Sequence, residues 1–158
     1  MEFYHKLDTV MSHFSKSGGF LTVKSGDKVN TMTISWGFIG FLWGKPHFIT
    51  LVRPTRYTHT LLETADSFTV SVPFGTKASE LSFCGSSSGA TVDKSRTVTF
   101  ISSKNVESPI VEGCDMYYEC KIDYRETMKD SLIPKSILET MYKNDLHDIY
   151  IGEIVNCY

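Results

Sequence analysis

The sequence predicts a mainly β protein, an antiparallel barrel with a few short helices. Three observations carry this. β-Branched and aromatic residues dominate residues 20–72, turn residues recur at hairpin spacing, and strand-like runs follow one another without the alternating helices of a βαβ sheet. The 158 residues fit one domain, 1-158, with neither an internal repeat nor a linker. A hydrophobic share of 41% with 13% aromatics suits a packed barrel or a planar ligand better than a disordered segment.

Taken in order, Phe3, Leu7, Val10, Met11 and Phe14 recur at helical spacing before Gly18-Gly19, so residues 3–15 read as an amphipathic helix capping the barrel. Ser25-Gly26-Asp27, Gly44-Lys45-Pro46 and Arg53-Pro54 divide the next stretch into three or four strands, the first turn being a hairpin. Tyr57, Leu61, Leu62 and Ala65 then share a helical face with Thr55 as its cap, and a strand follows at 68–72. Residues 76–84 read as a short helix stopped by Gly85, leading into the loop Ser86-Ser87-Ser88-Gly89. Strands are expected at 97–101, 116–124 and 148–156, with looser polar segments around 103–109 and 125–145.

A formal charge of -2 offers no basic field, which argues against nucleic acid as a partner. The apolar stretches are too interrupted for a bilayer, and the start Met-Glu-Phe-Tyr-His-Lys lacks the pattern of a signal peptide, so no membrane partner and a cytoplasmic location are expected. Four cysteines at 84, 114, 120 and 157 form no CxxC pair and no zinc spacing; free thiols and no metal site are expected.

Three segments carry chemistry. In Asn30-Thr31-Met32-Thr33-Ile34-Ser35-Trp36 the hydroxyls of Thr31, Thr33 and Ser35 share one face, which together with free backbone groups suits the polar edge of a ring; periodicity alone favours an ordinary half-buried strand. Arg53-Pro54-Thr55-Arg56-Tyr57-Thr58 joins two arginines and two hydroxyls to a helix start, a combination suited to phosphate, although a surface helix with solvated arginines has the same composition. The loop Ser86-Ser87-Ser88-Gly89, followed by Asp93-Lys94, lets backbone N–H groups approach an anion, but by itself reads as a solvated loop. None of the five histidines stands in a nucleophile-elbow pattern, so hydrolase chemistry has no support. His147 stands at a loop-to-strand boundary able to present it to a site.

Together, Asn30-x-Met32-Thr33-x-Ser35-Trp36, Lys45-Pro46, Arg53-Pro54-x-Arg56-Tyr57-Thr58, Phe68-Thr69-Val70-Ser71-Val72-Pro73, Ser88-Gly89 with Asp93-Lys94, and His147 before Gly152-Glu153 resemble the flavin reductase-like family of FMN-binding split β-barrels. The resemblance implies a homodimer with one FMN per subunit near the interface, the phosphate at Arg56-Tyr57-Thr58 and the ring along residues 33–36. It assigns Asn30, Met32, Thr33, Ile34, Ser35, Trp36, Arg53, Arg56, Tyr57, Thr58, Ser88 and Lys94 to the cofactor, and His147 to catalysis at the nicotinamide end. Electrons would pass through flavin N5, from NADH or NADPH as a transient co-substrate to free flavin, ferric complexes or another acceptor. The alternative is a flavoredoxin-like carrier whose FMN is reduced by an electron-transfer protein partner. With no GxGxxG after a strand, a dinucleotide would bind only transiently over the flavin. The sequence departs from the family pattern at Ala90, where Arg is common, and at Ser95, where an aromatic is common.

Overall fold

The computed structural model describes residues 2–158. Seven strands form one antiparallel sheet: β1 (Gly19–Ser25), β2 (Lys28–Ile34), β3 (Gly37–Leu42), β4 (Lys45–Val52), β5 (Ser67–Val72), β8 (Met116–Thr127) and β9 (Asp148–Cys157), in the order β2-β1-β5-β8-β9-β4-β3. A separate ribbon pairs β6 (Phe100–Ile101) with β7 (Ile110–Val111). The fold is the mainly β split barrel expected from the sequence. The first hairpin is also as expected: Ser25 pairs with Lys28 across Gly26-Asp27, and Gly26 takes the positive φ of 57° that such a turn requires.

The apolar face of the sheet encloses a core in which Phe48 packs against Phe14, Phe68 and Tyr118 at centroid separations of 5.8, 6.3 and 5.5 Å. Burying each such aromatic contributes roughly 2–3 kcal/mol, and the cluster joins the sheet to α1 (Leu7–Phe14) and α2 (Tyr57–Leu62) through Phe14, Leu61 and Leu62. All four cysteines are free thiols. Among the described residues, no helix is long and apolar enough to cross a membrane.

Several elements depart from expectation. The first helix begins only at Leu7, because Lys6 adopts a left-handed φ of 54°, and it anchors through Val10 and Phe14 while Met11 stays exposed. Thr55 is not the cap of α2: a turn closed by the Arg56 N–H on the Arg53 carbonyl takes up Pro54-Thr55, and Arg56 stands at the N-cap. Gly85 does not stop α3 (Ala78–Ser86) but lies inside it. A Cβ there would sit 3.3 Å from Thr33 Cβ, so the missing side chain lets the helix lie close on β2. Of the strand expected at 97–101, only Phe100–Ile101 forms, because Thr97 and Val98 donate back to the Lys94 carbonyl in a helical turn. The segment 125–145 is more ordered than its polarity suggested. β8 runs on to Thr127, since Arg125, Glu126 and Thr127 pair with Tyr150, Ile149 and Asp148, and a helix α4 forms at Lys135–Met141.

Candidate functional site

β2 and β3 are the two edges of the sheet, yet they are consecutive in the chain, joined by Ser35-Trp36. Neither pairs with the other, so the barrel is split there. Two hollows open along the split. The first, about 280 Å³, is lined by Met32, Thr33, Ile34, Ser35, Trp36, Leu51, Arg53, Arg56 and His147. The second, about 90 Å³, is lined by Asn30, Met32, Thr55, Arg56, Tyr57, Thr58, Ser86, Ser87, Ser88, Gly89 and Lys94. Met32 and Arg56 border both, so the two form one cleft, and every residue assigned to the site from sequence lies on it.

The smaller end is polar and tightly built. Asn30 donates to the Thr58 hydroxyl at 2.8 Å, leaving that hydroxyl's own proton available. Gly89 lies so near that a Cβ there would fall 2.0 Å from Asn30 Oδ1, and only glycine lets the loop's backbone come in this far. Arg56 spends one N–H on the Gly85 carbonyl at 2.6 Å and keeps its other donors. Lys94 is buried, its ammonium donating to the Thr31 and Cys84 carbonyls at 2.7 and 2.9 Å, so one N–H remains free. Burial lowers its pKa, with the Arg56 charge acting the same way. Among the described residues no carboxylate bonds either Arg56 or Lys94, so an anion is what this pair of cations lacks.

The larger end runs along the open edge of β2. Because β2 pairs only with β1, alternate residues turn their backbone groups outward; Thr31 gives its carbonyl to Lys94, and Thr33, two residues on, faces the same way. Two of the three hydroxyls expected to share a face along this strand spend their protons within the chain. Thr31 donates to the Leu21 carbonyl and Thr33 to the Leu81 carbonyl, inward to β1 and α3, which leaves only Ser35 with a free hydroxyl beyond the strand's end. Trp36 likewise lies past Ile34, outside the strand, with its ring 5.1 Å from that of His147.

Arg53 is bound elsewhere: it pairs with Asp145 at 2.5 Å, donates to the Met141 carbonyl at 3.1 Å and lies 5.1 Å from the Tyr142 ring. Its hydrogen bond holds the Asp145 carboxyl below its ordinary pKa. The His147 Nδ1 lies 3.0 Å from the Tyr142 hydroxyl. Burial, reinforced by the Arg53 charge, lowers the His147 pKa to about 4. Sequence reading overlooked Leu51, hidden in strand alternation, and Tyr142, which lies in a segment without strand or helix periodicity.

Two other features lie away from this cleft. A larger hollow of about 890 Å³ sits beneath residues 100–107, bordered by Lys24, Asp66 and Lys121. Buried Glu119 holds that loop by accepting from the Lys104 and Asn105 N–H groups at 2.8 and 2.7 Å. His59, Glu63 and Asp148 bring three metal-capable atoms within 4.8 Å of one another, but His59 is already bonded to Asp148 at 2.6 Å, a contact that ties α2 to β9.

The arrangement matches known proteins along nearly its whole length. The model of the flavin reductase like domain matches residues 11–158. An FMN-binding protein from Thermus thermophilus, solved with bound p-hydroxybenzaldehyde, superposes with a TM-score of 0.70 at 28% identity over 89% of this chain and 69% of that one. A flavoredoxin from Methanosarcina acetivorans superposes with a TM-score of 0.70 at 23% identity, over 89% and 66%. The NADH:FAD oxidoreductase SgcE6 of Streptomyces globisporus C-1027 gives 0.69 at 20%, over 89% and 73%. The split cleft with its polar end therefore stands in a chain that belongs to the flavin reductase like domain family.

Proposed function

We propose that the protein is an FMN-dependent oxidoreductase that takes electrons from NADH or NADPH and passes them to free flavin, a ferric complex or another acceptor. One observation carries the reading: a phosphate-sized polar recess runs without a break into a slot beside an open strand edge, which is the outline of one molecule with a phosphate at one end and a planar ring at the other. FMN bound there supplies the redox chemistry itself. Arg56, Lys94, Thr58 and the Ser88-Gly89 backbone hold the phosphate. Its compact anion suits the 90 Å³ recess better than the dinucleotide of FAD, whose adenosine would have to extend outside.

The β2 edge from Thr33 to Ser35 supplies donors and acceptors to the ring's polar side, and Trp36 and Leu51 supply its apolar walls. His147, neutral at physiological pH, borders the ring end, where a nicotinamide would approach. The protein works as a homodimer. Supporting this, β3 is an edge strand with Phe38 and Phe41 exposed and Trp43 at its turn, a surface whose burial against a second copy would cover both an open edge and an apolar patch.

Anaerobic stopped-flow mixing of the FMN-loaded protein with each nucleotide tests the reaction. Rapid bleaching of the oxidised flavin band is expected. Absence of bleaching with both nucleotides, with FMN tightly held, would instead favour the flavoredoxin-like carrier, the reading to which the similar flavoredoxin fold lends support. Light scattering should give twice the chain's mass.

A further inference from the structure

A short hydrogen-bonded chain at the ring end has a direction. The Tyr142 hydroxyl has two neighbours, His147 Nδ1 at 3.0 Å and Met128 Sδ at 3.5 Å. A thioether sulfur is a weak acceptor and an imidazole nitrogen a good one, so the hydroxyl proton goes to Nδ1. A neutral imidazole that accepts at Nδ1 carries its own proton at Nε2. The ring is neutral at physiological pH, because burial and the nearby Arg53 charge both oppose protonation. Among the described residues no protein group bonds Nε2, and His147 borders the cleft beside Ser35 and Trp36.

Tyr142 is itself fixed from three sides. Its ring lies 5.1 Å from the Arg53 guanidinium and, edge to face, 6.4 Å from Trp36. Arg53 also grips the chain on either side of it, at the Met141 carbonyl and at Asp145. A tyrosine held this firmly can set both the tilt and the proton of its histidine partner, much as an outer partner fixes the tautomer of a ligating histidine.

We propose that Tyr142 is a positioning residue that locks His147 as the Nε2–H tautomer, so that this N–H donates to a carbonyl oxygen of the molecule arriving over the ring end, the carboxamide of a nicotinamide. The identity of that acceptor rests on the oxidoreductase reading above; the tautomer does not.

Two measurements separate the two. Long-range ¹H–¹⁵N correlation on the histidine-labelled, FMN-loaded protein near pH 7, with His147→Gln used to assign the signal, should show one tautomer, protonated at Nε2 and bare at Nδ1. Tyr142→Phe keeps the ring over Arg53 and removes only the hydroxyl; the Nδ1–H form should then appear beside the other. A wild-type Nδ1–H tautomer, or a single unchanged tautomer in Tyr142→Phe, would overturn the proposal. In stopped-flow reduction the same variant should need more nucleotide for half-saturation by the inverse of the fraction of His147 left in the Nε2–H form, about twofold for an even mixture, while FMN affinity stays unchanged. Unchanged half-saturation despite a mixed tautomer would remove the carboxamide from the proposal's terms and so defeat it. If neither nucleotide reduces the flavin, the oxidoreductase reading has failed, and the tautomer is still decided by the spectra.

Discussion

Arg53 and Arg56 stand three residues apart and border the same cleft, yet their donors are spent differently. Arg53 gives its guanidinium to Asp145, the Met141 carbonyl and the Tyr142 ring, and so serves the chain's own 141–145 segment. Arg56 makes one bond, to the Gly85 carbonyl, and faces both hollows with the rest. The difference shows that residue type identifies a candidate, whereas unspent hydrogen-bonding capacity decides which candidate can hold a ligand. One end of the cleft is accordingly built to receive charge, and the other is built from side chains that fix one another.

The contrast is broken most directly by Arg56→Ala. Losing a charge-assisted contact of about 1.5–3 kcal/mol should weaken FMN binding roughly 10- to 100-fold, with riboflavin, which lacks the phosphate, barely affected. Fluorescence-quenching titration of both ligands reads this, and equal losses would move Arg56 from the phosphate to the ring or the fold. Arg56→Lys should recover only part, since a point charge replaces a planar fork.

At the same end, Gly89→Ala forces a Cβ to within 2.0 Å of Asn30 Oδ1 and 2.8 Å of the Tyr57 ring, so that these side chains or the loop must shift. A cost of about 1–3 kcal/mol in stability or FMN affinity is expected from overpacking, measured by denaturant midpoint and titration together. A neutral outcome would show the loop to be pliant.

The other end carries the pH dependence. The His147 pKa lies near 4 in the folded protein and near the ordinary 6.5 when unfolded. Above 6.5 both states are neutral and the residue contributes no slope; as pH falls from 6.5 to 4 the unfolded chain takes up a proton that the folded one refuses, so stability drops, by about 3 kcal/mol at most. Urea unfolding across that window should show His147→Gln losing less stability than the wild type.

Arg53→Ala should be milder. Its ion pair with Asp145 is partly exposed and screened by solvent, which keeps its contribution small, and the expected sign is faster proteolysis within 130–146 with FMN affinity nearly kept. A loss equal to that of Arg56→Ala would erase the distinction between the two. Ser35→Ala removes one neutral hydrogen bond to the ring, about 1 kcal/mol, and should cost roughly fivefold in FMN affinity.

Much of the site was legible because its residues cluster in the chain: the strand 30–36, the turn 53–58 and the loop 86–94 each announce themselves by local chemistry. Their convergence on one cleft was an inference from the family resemblance. Local pattern misled where a residue's job is set by a distant partner. Gly85 reads as a helix stop but serves the approach of α3 to Thr33, and the Thr31 and Thr33 hydroxyls read as a ligand face but are bonded inward. The polar run 125–145 gave no periodic signal, because strand pairing at Arg125–Thr127 is carried by backbone bonds and α4 buries no side chain.

By itself, then, the sequence determined the β class, the first hairpin, the unpaired thiols and the short list of polar candidates, all of which follow from periodicity, turn chemistry and residue type over a few neighbours. Only the tertiary structure decided that two consecutive strands become opposite edges of one sheet, leaving a split between them, and which donors along that split remain unspent. Both depend on pairing between residues far apart in the chain: the order β2-β1-β5-β8-β9-β4-β3 sets where the edges fall, and partners as distant as Asp145 for Arg53 and Gly85 for Arg56 decide what each guanidinium has left to give.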